Sequence, residues 1–140
     1  MFLLDVNVWL ALAFQRHLHH KPASDWFTDQ PENSCCFCRL TQLSFLRLAT
    51  TPQVMTTDVL TLKAAWQMFE DLYDDPRVVF AEEPDGIQSL WRGYTQHQSF
   101  SPKVWNDAYL AAFARAADFE LVTFDMGFAQ YANVRCTILS

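Results

Sequence analysis

Asp5 directly follows the apolar run Phe2-Leu3-Leu4, and Asp125 directly follows Leu121-Val122-Thr123-Phe124. Short apolar runs of this kind are the pattern of strands buried in a parallel sheet. A carboxylate where such a strand stops lies at the carboxyl edge of the sheet, where open α/β folds bind their ligands. A third acid, Asp107, heads an apolar helical stripe with Leu110, Ala111 and Ala114. A charge there is costly to bury without a partner. A hard divalent cation is one such partner: Mg²⁺ or Mn²⁺ takes oxygen ligands, commonly one or two carboxylates with water and substrate phosphate. Singly, each acid has an ordinary reading: Asp5 as a helix cap, Asp125 as a turn residue, Asp107 as a first-turn acid favoured by the helix dipole. Together they suggest a divalent-metal site. Asn7, two residues past Asp5, is placed either to cap the first helix or to orient a water or phosphate. Thr123, two residues before Asp125, falls on the same side of its strand as that acid.

The elements that must position these residues alternate along the chain. Strands are expected at Phe2–Asp5, Cys35–Cys38, Val78–Phe80, Glu120–Phe124 and Val134–Leu139. Helices are expected over Asn7–Phe14, from Pro22 to about Thr28, over Leu40–Ala49, from a Thr57 or Asp58 cap to Tyr73, from an Asp85 cap through Tyr94, and from Ser101-Pro102 to Ala117. Gly127–Tyr131 reads as a helical turn. Gln15–Lys21, with three of the four histidines, reads as a solvated loop, since no acid accompanies them as in a metal site. Alternating strands and helices imply an α/β fold, a parallel sheet covered on both faces.

With 140 residues, no repeats and no linkers, a single domain spanning 1–140 is expected. The composition, 51% hydrophobic and 15% aromatic, excludes a chain that is mainly disordered. No apolar run approaches the roughly 20 residues of a membrane span. The net charge of -6 argues against binding nucleic acid through one broad basic face. Carboxylates that hold cations are neutralised by them, so an acidic total does not argue against a metal site. The acids between Glu70 and Asp85 share their region with one basic residue, Arg77, and read as a solvated edge. Cys35, Cys36, Cys38 and Cys136 lack zinc-ligand spacing and follow no signal peptide, so they read as reduced and the expected compartment is the cytoplasm. The five tryptophans read as core or subunit interface.

Four ordered blocks carry a family resemblance: Leu3-Leu4-Asp5-Val6-Asn7-Val8, Thr41-Gln42-Leu43-Ser44-Phe45-Leu46-Arg47-Leu48, Asn106-Asp107-Ala108-Tyr109-Leu110-Ala111-Ala112-Phe113-Ala114, and Leu121-Val122-Thr123-Phe124-Asp125. Over essentially the whole chain they resemble a PIN-domain ribonuclease of the VapC toxin type. The resemblance implies a three-layer α/β/α domain with a central, mostly parallel sheet. It also implies a Mg²⁺- or Mn²⁺-dependent endoribonuclease that acts on RNA, is restrained by a cognate antitoxin and pairs as a homodimer. Carried over by position, Asp5, Asp107 and Asp125 are its metal-binding, catalytic acids, with Asn7 and Thr123 as supporting residues. The family's usual second acid, at the head of the third helix, aligns with Gln42, which offers a carbonyl oxygen but no charge. Arg39, Arg47 and Lys103 lie in or beside these blocks as candidate phosphate contacts. A catalytically silent PIN-like module that binds RNA or protein is the rival reading. A phosphoacceptor receiver domain fits less well, because Asp5-Val6-Asn7 lacks its acidic pair and no lysine follows Glu120.

Overall fold

The computed structural model describes residues 1–140. Strands β1 (Phe2–Leu4), β2 (Cys35–Phe37), β3 (Val78–Phe80), β4 (Glu120–Thr123) and β5 (Cys136–Ile138) form one sheet in the order β3-β2-β1-β4-β5. Every pair is parallel, so the sheet expected to be mostly parallel is wholly so. The helices are α1 (Val6–Ala13), α2 (His20–Thr28), α3 (Arg39–Ala49), α4 (Pro52–Met55), α5 (Leu62–Tyr73), α6 (Ile87–Tyr94) and α7 (Val104–Ala117).

Alternation along the strands divides the core between two faces. Leu4, Cys35, Phe37 and Val122 face one side and pack with side chains of α1, α2, α3 and α5. Leu3, Cys36 and Leu121 face the other and pack with α6 and α7. This is the three-layer arrangement. The chain runs outward from β1 through β2 to β3, then resumes at β4 on the opposite flank of β1. The β1/β4 border is therefore the topological switch point, where open α/β sheets leave a crevice at their carboxyl ends.

Several element boundaries differ from those expected. The long helix begins at Leu62, capped by Thr61, whose Oγ1 accepts from the Ala64 N–H at 3.1 Å. The short helix α4 and a 3-10 turn at Thr56–Asp58 occupy the stretch before it. Gly86, with φ at 80°, precedes α6 where Asp85 was expected to cap it; only glycine takes that backbone freely. The helix expected from Ser101-Pro102 starts at Val104. α2 begins at His20, inside the stretch expected to be loop. The four cysteines are free, three of them buried. Trp9 is core, whereas Trp66 and Trp105 are half exposed. No helix is long and apolar enough to cross a membrane.

Candidate active site

Asp5 ends β1 and caps α1. Its N–H continues the ladder to the Val122 carbonyl at 2.9 Å, and its Oδ1 accepts from the Val6 N–H at 2.7 Å. The register pairs Leu4 with Val122, which brings Thr123 level with Asp5 across the strand border. There the Thr123 hydroxyl donates to Asp5 Oδ2 at 2.8 Å. Thr123 Oγ1 in turn accepts from Asn7 Nδ2 at 3.2 Å and from the Asp125 N–H at 3.0 Å. A hydroxyl has one proton and two lone pairs, so Thr123 is saturated. It positions Asp5 and Asp125 and has nothing left for a ligand.

Asn7 neither caps the first helix nor points a free amide at the crevice. Its Oδ1 accepts from the Phe124 N–H at 3.3 Å while its Nδ2 holds Thr123, so it staples α1 to the end of β4. Asp125 caps the 3-10 turn Met126–Gln130, its Oδ1 accepting from the Gly127 N–H at 2.8 Å. A Cβ at residue 127 would come within 3.0 Å of that oxygen, so glycine there allows the close approach. The cap reading of Asp5 and the turn reading of Asp125 thus both describe what these residues do, and neither uses up their carboxylates.

Asp107 comes from the opposite layer, in the first turn of α7. The three acids feel one another. Burial pushes the Asp5 carboxyl up to about 6 despite its two hydrogen bonds, and Asp107 and Asp125 push the same way. Asp107 is raised by burial first and then by Asp125, with Lys103 opposing. The Tyr131 phenol is pushed up to about 12, by burial and then by Asp107 and Asp125. Its buried hydroxyl has no hydrogen-bond partner. No three His, Cys, Asp or Glu side chains close into a metal-coordinating cluster. Like charges at a desolvated edge repel, and that repulsion opposes such closure. The donor set still fits a hard cation: three acids, oxygen donors throughout, and a carboxylate whose charge burial disfavours.

Gln42 is buried in α3, its Oε1 accepting from the Arg39 guanidinium. Arg39 also lies over the Phe80 ring, 4.9 Å from its centroid. Arg47 is in the last turn of α3, at the other end of the helix from Arg39.

The expected solvated loop is only partly so. The His19 ring stacks on Phe124 at 4.4 Å, between Thr123 and Asp125, and His20 Nδ1 bonds the Ala11 carbonyl at 2.7 Å. Burial lowers the His17 pKa, with His19 and His20 adding to the effect. Neither His19 nor Tyr131 carried a sequence signal for this placement: one is a loop residue, the other an aromatic in a turn.

The PIN domain family model matches residues 2–134. The chain belongs to the PIN-domain family. Ribonuclease VapC41 of Mycobacterium tuberculosis is 44% identical to it over 100% of this chain and 99% of its own length. Ribonuclease VapC38 of the same organism is 34% identical over 96% of this chain and 92% of its own. Among solved structures, VapBC2 from Rickettsia felis, bound to a promoter DNA fragment, superposes with a TM-score of 0.70 at 10% identity, covering 99% of this chain and 98% of that one. M. tuberculosis VapC20, a sarcin-ricin loop cleaving toxin, gives 0.66 at 16% identity over 96% and 99%. Those two likenesses bear on the fold, and they agree with the sheet described above.

Within this PIN domain the Thr123 hydroxyl is the hinge of the acid pair. Thr123→Val should raise the Asp5 pKa further, because the lost hydrogen bond is one that favours the charged form, and should lower stability by about 1–3 kcal/mol because the Asn7 amide and the Asp125 N–H lose their acceptor. In the metal-free protein the Asp5 titration, followed by NMR of its carboxyl carbon, should then move to higher pH by about one unit. An unmoved titration would remove Thr123 from the site.

Proposed function

We propose that this PIN domain is a metal-dependent endoribonuclease, the toxin of a toxin-antitoxin pair. One feature supports the reading most: β1, α7 and the end of β4 carry Asp5, Asp107 and Asp125 toward the switch point of the sheet, near enough that Asp107 and Asp125 both disfavour ionisation of Asp5. The full-length similarity to chains named ribonuclease supports it.

Asp5, Asp107 and Asp125 would hold Mg²⁺ or Mn²⁺, which lowers the pKa of a bound water and stabilises charge gathering on phosphate oxygens. Thr123 and the Val6 N–H fix the Asp5 carboxylate, and Asn7 locks β4 against α1. Water adds to phosphorus as the bond to the leaving ribose oxygen breaks, and that oxygen takes the electron pair and a proton from solvent water. Asp107 is the acid suited to take the water's proton, since the Asp5 and Asp125 carboxylates each accept hydrogen bonds from the protein and that of Asp107 accepts none. Tyr131, whose unpartnered hydroxyl feels the charges of Asp107 and Asp125, is suited to donate toward a ligand oxygen there.

The antitoxin would cover this acidic edge with a basic or aromatic segment, and a second copy of the chain is the expected companion, readable by light scattering. The test of the enzyme is incubation of purified protein with RNA in Mg²⁺, in Mn²⁺ and in EDTA. Cleavage in either metal and none in EDTA is expected. RNA bound but uncut in both metals would overturn the reading in favour of the silent binding module.

A further inference from the structure

Continuing the β1/β2 register two residues past Leu3 and Cys36 places Cys38 level with Asp5. Arg39 is the next residue, the first of α3, so it rises from the same sheet edge as the acids. Its guanidinium leans outward over Phe80, which ends β3. Adjacent strands are about 5 Å apart, so this cation sits about two strand spacings from the β1/β4 border. That is too far to touch the phosphate bound at the cation the three acids would hold, and suited to a phosphate flanking it.

Two contacts hold the guanidinium there. The Gln42 amide oxygen accepts from it, and the Phe80 ring lies beneath it. Gln42 is buried while Arg39 is exposed. A glutamate at 42 would form a charge-neutralising pair with this arginine. A glutamine orients it and leaves its charge uncancelled. Arginine's planar fork matches phosphate geometry in two directions at once, and one contact to Gln42 leaves most of its five donors free.

We propose that Arg39 binds an RNA phosphate flanking the scissile one, and that Gln42 is the residue that orients Arg39 and keeps its charge available. This rests on the ribonuclease reading. It turns the substitution at 42 from a missing metal ligand into part of the substrate site.

The two roles of position 42 predict opposite outcomes. If Gln42 were only a weakened metal ligand, Gln42→Glu would restore an acid and raise activity. If it serves Arg39, Gln42→Glu neutralises the guanidinium and weakens RNA binding. The experiment uses an end-labelled RNA that the wild type cleaves, so failure to find one defeats the ribonuclease reading itself and is distinct from failure here. Binding is read by fluorescence anisotropy in the Asp5→Asn background, alone and combined with Arg39→Ala, Arg39→Lys or Gln42→Glu. Arg39→Ala should weaken binding about tenfold or more and reduce the salt dependence by about one phosphate contact. Arg39→Lys should recover part of the loss. Gln42→Glu should weaken binding as well. In the otherwise wild-type enzyme Arg39→Ala should raise KM more than it lowers kcat. Tighter binding or higher kcat/KM in Gln42→Glu, or unchanged binding and salt slope in Arg39→Ala, would overturn the proposal.

Discussion

Asp5→Asn should cut RNA cleavage by orders of magnitude and, at pH 7.5 without metal, make the protein more stable than the wild type. The two effects share one cause. The Asp5 carboxyl is 7% exposed, and burial lifts its pKa from 3.8 to about 6. A raised carboxyl binds its proton more tightly in the folded state. The stability this confers is fully present below pH 3.8 and lost as pH rises through about 6. At pH 7.5 the wild type therefore carries an ionised buried group, at a cost on the order of 3 kcal/mol for a shift of this size. Asparagine is neutral at every pH and keeps an oxygen for the Val6 N–H. Part of the gain is offset by a weaker cap and a rearranged Thr123 hydrogen bond, leaving a net stabilisation of about 1–3 kcal/mol. Thermal melts at pH 7.5 and pH 4 are the check. The variant should melt higher at pH 7.5, and the difference should shrink at pH 4. Cleavage should fall by about 10²–10⁴-fold, and Mg²⁺ should raise the melting temperature of the wild type but not of the variant. Retained activity would remove Asp5 from the machinery. A melting temperature lowered equally at both pH values would show that its role is a cap alone.

That cost was only partly visible in the sequence. An acid after Phe2-Leu3-Leu4 and another after Leu121-Val122-Thr123-Phe124 mark two strand ends, because hydrophobic runs and their stops are local patterns. The pairing of those strands is not local. Only the register that sets Leu4 beside Val122 shows that Thr123 belongs to Asp5 as much as to Asp125. Alternation placed Thr123 on the correct side of its strand but could not count its hydrogen bonds. Asn7 looked like a cap for the same reason: its position relative to α1 is local, and its contact with Phe124 spans most of the chain. Tyr131, His19 and the Arg39 pair with Gln42 were missed or left open because their meaning lies in what packs against them. The helix starts that moved, to Leu62 and to Val104, lie where several polar residues could each have capped, and propensity does not choose among them.

The largest stability loss is expected at Trp9, whose side chain holds the acid-bearing edge from below. Trp9 lies on α1, four residues past the Asp5 cap, fully buried and stacked on Phe37 of β2 with ring centroids 3.8 Å apart and planes 9° from parallel. Phe37 in turn meets Phe45 of α3 and Phe69 of α5 edge-on. One indole thus connects the helix that Asp5 caps and that carries Asn7 to the sheet and to two further helices. Truncation to alanine removes that area and leaves a cavity among rigid aromatics that cannot collapse into it, at a cost of about 3–5 kcal/mol. Against the 5–15 kcal/mol typical of a whole domain, this approaches unfolding. The indole N–H, however, is buried with no partner, so it contributes a desolvation penalty of its own. Trp9→Phe keeps a stacking ring and removes that penalty, and should cost only about 1–2 kcal/mol. Urea denaturation followed by far-ultraviolet circular dichroism separates the two: a large drop in midpoint for alanine, a small one for phenylalanine, and the same slope for both. Equal losses would mean that the N–H has a partner in solution and that the stack contributes little.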